Sequence, residues 1–128
     1  MTVGLVVVSH SAKVAEGLVE LAGQMAHGVP LVAAGGTDDG GIGTSFDRIA
    51  AALEQADDGD GVVVLADLGS AVMTAEMVLE TIEPGAVRLA DAPLVEGAVA
   101  AAVTAAGGAD LETVAAAATD AWEHRKTQ

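Results

Sequence analysis

Short apolar segments alternate with longer Ala-rich segments along the whole chain. The short segments are continuous runs of β-branched residues without polar alternation, which is typical of strands buried on both faces of a parallel sheet. The longer segments have apolar residues at helical spacing. Because strand and helix units repeat in this way, the sequence predicts an α/β fold. We expect one doubly wound domain over residues 1–128, with helices on both faces of a central, mostly parallel sheet.

Four strands and five helices are predicted. The strands cover residues 3–8, 29–34, 61–66 and 86–89, and the helices cover residues 12–26, 42–55, 70–81, 94–105 and 111–125. Ser11 and Asp110 stand just before helical segments and are predicted to cap the first and the last helix. Right-handed crossovers give four such strands the spatial order 2-1-3-4.

The charge balance is strongly acidic, with 19 Asp and Glu residues against 5 Lys and Arg residues and a net charge of −14. Such a surface repels phosphate backbones and anionic lipids, so nucleic-acid and membrane partners are disfavoured. The same surface attracts basic protein partners. A role in solubility or salt adaptation is an equally good interpretation of this charge.

Composition excludes several kinds of site. The chain has no cysteine, which excludes disulfides and cysteine nucleophiles, and its 3 histidines are too widely spaced to predict a metal site. No basic region precedes the first apolar run, and no apolar stretch approaches the ~20 residues that span a bilayer. We therefore expect a cytoplasmic protein without a metal ion. Aromatic residues make up only 2% of the chain, so we expect a core of small side chains in which the 4 methionines fill gaps.

The predicted strand order places two polar loops together. In an open parallel sheet, ligands bind beyond the carboxyl ends of the strands where the strand order reverses. For the order 2-1-3-4 this point lies between the first and the third strand. Ser9, His10 and Ser11 follow the first strand, and the loop from Asp67 to Ser70 follows the third. Topology therefore brings His10 and Asp67 to the same crevice.

His10 and Asp67 form a plausible pair for nucleophilic chemistry. A neutral imidazole is a competent nucleophile near pH 7 and can carry a phosphoryl group. If Asp67 accepts the Nδ1 proton, Nε2 of His10 is left free to attack. The helix N-termini at Ser11 and Ser70 offer N–H groups to an anion, and Gly69 permits close approach of the backbone. The residues alone equally allow a structural histidine, with Asp67 as a helix cap.

A glycine-rich loop follows the second strand, over residues 35–44. It has no Lys and matches neither the nucleotide P-loop nor the dinucleotide fingerprint. We expect it to form a docking rim around His10, although an ordinary flexible surface loop is the alternative. Its candidate phosphate- or partner-binding residues are Gly36, Thr37, Asp38, Gly43 and Thr44.

Two residues near the C-terminal part of the chain are predicted to have structural roles. Asp91 follows the fourth strand and is predicted to cap the next helix. Trp122 is predicted to pack against the sheet or against a partner subunit.

Three segments together resemble the mannose-type EIIA domains of the bacterial phosphotransferase system (PTS). They are residues 8–11 (Val-Ser-His-Ser), residues 33–38 (Ala-Ala-Gly-Gly-Thr-Asp) and residues 65–70 (Leu-Ala-Asp-Leu-Gly-Ser). Within that superfamily, residues 36–45 and 67–71 are similar to the phosphotransferase subunit of PTS-dependent dihydroxyacetone kinase. Sugar-transporting members tend to have a longer Gly-Gly-Ser-Pro form of the third-strand loop, which this sequence lacks. The resemblance covers essentially the whole chain.

This resemblance implies a phosphohistidine at His10, with Asp67 as its hydrogen-bonded partner. It further implies that the phosphoryl group arrives from the phosphocarrier protein HPr and leaves for ADP held on the nucleotide-binding subunit of the kinase. A homodimer that needs no cofactor of its own is also implied.

Three other functions remain open at this point. A sugar-specific EIIA component would share His10 and the fold but pass its phosphoryl group to an EIIB partner. A receiver-like module would be phosphorylated on Asp67, but such modules need an acidic pair after the first strand and a Lys after a fifth strand, which the sequence lacks. A regulatory module that only senses a small anion is the third.

Overall fold

Four strands and five helices alternate along the chain in the computed structural model, which describes residues 2–127. The strands are β1 (Gly4–Ser9), β2 (Leu31–Gly35), β3 (Val62–Ala66) and β4 (Val87–Leu89). The helices are α1 (Ala12–Met25), α2 (Phe46–Ala56), α3 (Gly69–Leu79), α4 (Leu94–Ala106) and α5 (Leu111–Asp120), and a short 3-10 turn, Ala121–Glu123, follows α5.

The strands form one sheet in which every neighbouring pair is parallel. The spatial order is β2-β1-β3-β4, which confirms the predicted fold class and strand order. All six residues of β1 are buried, because β1 lies between two other strands and is covered by helices on both faces. The loops after β1 and β3 therefore start side by side from the buried centre of the sheet.

Alternate residues of β1 point into two separate apolar layers. Leu5 and Val7 pack in a cluster with α1, α4 and α5, whereas Val6 and Val8 pack in a cluster with α2 and α3. Both clusters consist largely of Val and Ala, as the low aromatic content predicts. Small side chains bring the helices close to the sheet, so the backbone at the strand ends is tightly enclosed.

Two predicted helix boundaries are wrong by four or more residues. Helix α2 begins at Phe46 and not at residue 42, because the Ser45 hydroxyl accepts the Arg48 N–H as an N-cap and Gly43 has a φ of 146°. Residues 42–45 therefore belong to the preceding loop. The last helix ends at Asp120 and not at residue 125, since the chain tightens there into the 3-10 turn. The predicted caps at Ser11 and Asp110 are confirmed, because each side chain accepts an N–H from the first turn of its helix.

Two structural expectations are also wrong. Met25, Met73 and Met77 do not fill the core, because each lies on an outer helix face with more than half of its surface exposed. Met1 lies outside the described residues. Asp91 does not cap α4, since the N-cap is Pro93 and no side chain caps this helix. Among residues 2–127, no helix is long and apolar enough to cross a membrane.

Gly35, the last residue of β2, offers a test of the close packing beneath the loops. A Cβ there would lie 2.6 Å from the Ser11 carbonyl oxygen and 2.7 Å from Ala12 Cα, which are backbone atoms that cannot turn away. We expect Gly35→Ala to lower the free energy of unfolding by about 1–3 kcal/mol in urea denaturation. Gly17→Ala is the matched control, because it adds the same methyl group to α1 where no atom outside the local helix backbone lies within 4 Å. It should raise stability by about 0.5–1 kcal/mol, and equal effects of the two changes would contradict this description of the packing.

Candidate active site

His10 and Asp67 lie in direct contact at the carboxyl edge of the sheet. His10 follows β1 and Asp67 follows β3, so their backbones start from neighbouring parallel strands. His10 Nδ1 lies 2.9 Å from Asp67 Oδ1, and the His10 N–H donates to Asp67 Oδ2 at 3.0 Å. Their side chains are 22% and 18% exposed, so both are accessible from solvent but held by the protein. The structure thus brings together the two residues that the strand order predicts to meet.

Two further donors complete the surroundings of the Asp67 carboxylate. The buried Ser9 hydroxyl donates to Oδ2 at 2.8 Å, and the Leu68 N–H donates to Oδ1 at 2.7 Å. Partial burial alone raises the pKa of the Asp67 carboxyl, but the four hydrogen bonds, led by the two from His10, outweigh burial and hold this pKa below its usual value of 3.8. Asp67 is therefore an anion near neutral pH.

The ionised carboxylate fixes the proton on the imidazole of His10. An ionised carboxylate can only accept hydrogen bonds, so Nδ1 of His10 must carry the proton that it shares with Asp67. Nε2 of the neutral ring then has a free lone pair. The Ser70 Oγ lies 2.5 Å from Nε2, and its hydroxyl must be the donor of that contact. The result is an oriented imidazole with a hydroxyl group at the nitrogen whose lone pair is available.

Two helices begin next to the residues of this site. Ser11 caps α1, where its Oγ accepts the Val14 N–H, and its own N–H donates to the Ser9 hydroxyl. Gly69 and Ser70 are the first residues of α3, whose initial N–H groups have no acceptor within the helix. Helix N-termini carry partial positive charge and favour anions. The surroundings of His10 Nε2 are therefore suited to a phosphoryl group.

The glycine-rich loop is bound to the strand that carries His10. The Gly43 N–H donates to the His10 carbonyl at 2.8 Å, and the Gly36 N–H donates to the Ser9 carbonyl at 3.1 Å. Gly36 has a φ of 75°, which favours glycine at this turn. These two bonds hold the loop against Ser9 and His10.

The polar side chains of the loop bond mainly within the loop. The Thr37 hydroxyl donates to Asp39, and Asp38 accepts the Ser45 hydroxyl at 2.6 Å. The same Thr37 hydroxyl and the Gly41 N–H hold the pKa of Asp39 below its usual value. Thr37 and Asp38 thus shape the loop, and neither side chain has a hydrogen bond to His10 among the described residues.

The sequence reasoning missed Thr74. Its hydroxyl donates to the Ser70 carbonyl at 3.1 Å and lies 2.9 Å from the Thr44 hydroxyl. Because the Thr74 proton is used on Ser70, the Thr44 hydroxyl donates to Thr74. This chain of hydroxyls joins the glycine-rich loop to the turn of α3 that presents Ser70. A threonine inside a helical segment gives no sequence signal for such a role.

Metal ligands do not cluster in the described part of the chain, where no group of three or more His, Cys, Asp or Glu side chains could hold an ion. The arrangement of His10 Nε2, the Asp67 carboxylate and the Ser70 hydroxyl is instead suited to nucleophilic group transfer.

Residues 4–115 match the family model EIIA-man, described as the PTS system fructose IIA component. The chain belongs to the EIIA-man family. His10 and Asp67 lie inside the matched region, as do both loops of the candidate site.

Curated relatives of this EIIA-man chain carry the name DhaM. It is 44% identical over 133 residues to the Escherichia coli (strain K12) "PEP-dependent dihydroxyacetone kinase, phosphoryl donor subunit DhaM", covering 98% of this chain and 28% of that relative. It is 40% identical over 114 residues to the Lactococcus lactis (strain IL1403) "PTS-dependent dihydroxyacetone kinase, phosphotransferase subunit DhaM", covering 89% of this chain and 91% of that relative. The chain thus spans little more than a quarter of the longer relative and nearly all of the shorter one.

Solved structures agree with the EIIA-man fold. A protein described as being of unknown function has a TM-score of 0.83 at 36% identity, with 94% of this chain and 95% of that chain covered. The PTS component EIIA from Streptococcus agalactiae has a TM-score of 0.72 at 15% identity, with 98% and 96% covered. At that identity the second likeness concerns the fold alone.

The lowered pKa of Asp67 makes its contribution to stability depend on pH. Because the pKa is lower in the folded than in the unfolded chain, ionised Asp67 stabilises the fold above about pH 4, and this contribution is lost as the pH falls through the folded-state pKa. We expect Asp67→Asn to lower the unfolding free energy by about 1–3 kcal/mol at pH 7. The difference from wild type should shrink below about pH 4 in urea titrations.

Asp91→Asn is the matched control for Asp67→Asn, because it removes one carboxylate from the neighbouring loop. A difference in unfolding free energy between wild type and Asp67→Asn that stayed constant from pH 7 to pH 3 would contradict the lowered pKa of Asp67.

Proposed function

We propose that this chain is the phosphoryl-donor component of a PTS-dependent dihydroxyacetone kinase, with residues 1–128 acting as one phosphotransferase domain and His10 as the phosphoryl carrier. The observation that carries this proposal is the oriented imidazole: Nδ1 is held on Asp67 and Nε2 points to the Ser70 hydroxyl. The names of the DhaM relatives support the same activity.

In the first step His10 accepts a phosphoryl group from HPr. Nε2 attacks phosphorus in line with the bond to the donor, so the new N–P bond forms as the donor's bond breaks and its electron pair returns to the donor. Phosphoryl transfer depends on positioning and charge stabilisation more than on covalent chemistry by the protein. The Asp67 carboxylate holds the ring in place and stabilises the positive charge that develops on the imidazole.

Ser70 and the helix N-termini stabilise the transferred group. Once Nε2 bonds to phosphorus, its lone pair no longer accepts the Ser70 proton, and the hydroxyl can donate to a phosphoryl oxygen instead. The first N–H groups of α1 and α3 supply further donors and a favourable dipole. Ser9 acts differently, since its buried hydroxyl is bonded to Asp67 and orients that carboxylate.

In the second step ADP on the nucleotide-binding subunit accepts the group. An oxygen of the ADP β-phosphate attacks phosphorus, the N–P bond breaks, its electron pair returns to Nε2, and ATP forms on the partner. The domain acts in the cytoplasm as a homodimer. The glycine-rich loop, including Thr37, Asp38 and Thr44, forms the rim against which the partner docks.

A sugar-specific EIIA function is the competing proposal, since it would use the same His10. The DhaM names at 38–44% identity favour the kinase. An acceptor assay separates the two: the 32P-labelled protein is mixed with the ADP-loaded kinase subunit or with a mannose-type EIIB. We expect labelled ATP in the first mixture and retained label in the second, whereas the reverse result would favour sugar transport.

A receiver-like function is disfavoured, because each carboxylate oxygen of Asp67 already accepts two hydrogen bonds. Phosphorylation of either oxygen would break these contacts. A phosphoryl label found on the carboxyl group of Asp67 in wild-type protein would support the receiver-like function.

His10→Ala tests the central proposal. We expect phospho-HPr to transfer an acid-labile label to the wild type and none to His10→Ala, as measured by phosphopeptide mapping at neutral and acid pH. His27→Ala is the matched control, because it removes a histidine distant from the site in sequence and should leave labelling unchanged. A phosphoryl label that persists in folded His10→Ala would contradict the proposal.

Ser70→Ala tests the role of the hydroxyl at Nε2. Losing one donor to the phosphoryl group should slow transfer from phospho-HPr roughly tenfold to hundredfold in rapid-quench measurements. Ser70→Thr keeps a hydroxyl at this exposed position and should recover much of the rate. Equal rates for Ser70→Ala and wild type would show that the hydroxyl has no part in transfer.

A further inference from the structure

A cavity of about 510 Å³ opens beside Asp67, between the carboxyl ends of β3 and β4. It is separate from the contact between His10 and Ser70 but shares the loop that carries Asp67. Its apolar wall includes Ala66, Leu68, Val72, Leu89, Pro93 and Leu94. The carboxylate residues Asp67, Glu76 and Asp91 also line it, together with the only tryptophan of the chain, Trp122.

Trp122 is a fixed wall of this cavity. It lies in the 3-10 turn after α5, and its indole N–H donates to the Asp91 carbonyl at 3.1 Å. More than half of the Trp122 surface is nonetheless exposed. Trp122 is therefore an anchored ring that faces solvent and is not buried against the sheet, which was the first of its two predicted roles; packing against a partner subunit stays a prediction.

Two of the three carboxylates at the cavity, Glu76 and Asp91, have no cationic partner among residues 2–127. Arg88 and Lys126 pair with Glu112 and Glu96, and neither lines the cavity. Negative charge is thus left at the rim of an apolar pocket with an aromatic wall.

We propose that this pocket receives an arginine side chain from the protein that delivers the phosphoryl group to His10. The apolar wall fits the aliphatic part of arginine, the carboxylates attract its charge, and a planar guanidinium group can stack on an indole ring. Leu68 connects the pocket to the reactive site, because it lies between Asp67 and α3 with 63% of its surface exposed.

This inference rests on the proposed function for the identity of the partner, but the chemistry of the pocket can be tested without it. N-acetyl-arginine amide is titrated into 15N-labelled protein while the single indole N–H signal is followed by NMR. We expect a saturable shift with arginine and none with N-acetyl-citrulline amide, which has the same shape without the charge. Equal shifts with the two probes would overturn the proposal.

The double variant Glu76→Gln, Asp91→Asn removes the charge while keeping the size of both side chains. We expect it to weaken arginine binding roughly fivefold and to lower the second-order rate of phosphorylation by phospho-HPr by a similar factor. The extent of His10 labelling at completion should not change. The matched control is Glu16→Gln, Glu20→Gln, which makes the same change in net charge on the exposed surface of α1 and should leave both values near wild type.

The outcomes separate the two proposals. If wild-type protein is never labelled, the proposed function fails, and the arginine titration still decides whether the pocket binds a guanidinium group. If labelling is normal but the double variant and the control react at equal rates, the pocket takes no part in donor docking and this inference fails while the function stands.

Discussion

The ionised carboxylate of Asp67 is the group on which the candidate site depends. It accepts hydrogen bonds from the Ser9 hydroxyl, from the amide and the ring of His10, and from the Leu68 amide. Three of these donors belong to the end of β1 and one to the loop after β3, so a single side chain joins two strand ends. Its lowered pKa keeps it an acceptor at neutral pH, which places the imidazole proton on Nδ1 and leaves Nε2 for chemistry. Orientation, tautomer and charge stabilisation thus have one common cause.

The Ala- and Val-rich core gives this arrangement a rigid base. Small side chains let α1 approach β2 until a Cβ on Gly35 would meet the backbone of Ser11 and Ala12. A strand end enclosed in this way has little room to shift, because well-packed interiors respond to changes of a single methyl group. The glycine-rich loop is bound to the same base through Gly43 and the His10 carbonyl. Ser9 and His10 are therefore held in place both by the packing beneath them and by backbone hydrogen bonds from the glycine-rich loop.

Most of the fold and the central pair of the site follow from the sequence. The details that the sequence does not predict each have a physical reason. Apolar runs and right-handed crossovers predict the strand order, and the order alone predicts that His10 and Asp67 meet. The start of α2 was predicted too early because Ile42 continues an apolar pattern, whereas the Ser45 hydroxyl and the backbone at Gly43 decide where the helix begins. Thr74 acts through one hydroxyl inside a helix, a contact that no periodicity encodes.

The acidic surface and the candidate site act on an approaching anion at different distances. A free phosphate or nucleotide approaching a chain with a net charge of −14 is repelled over roughly 10 Å, the Debye length at moderate salt. Attraction begins only within contact range of the Ser70 hydroxyl and the N–H groups at the starts of α1 and α3, since helix-terminal fields fall off within a turn. A phosphoryl group attached to a basic protein avoids this barrier, because the carrier's own charge draws it in. The distribution of charge therefore favours exchange with protein-bound phosphoryl groups over reaction with free anions, which is what the proposed transfer between two proteins requires.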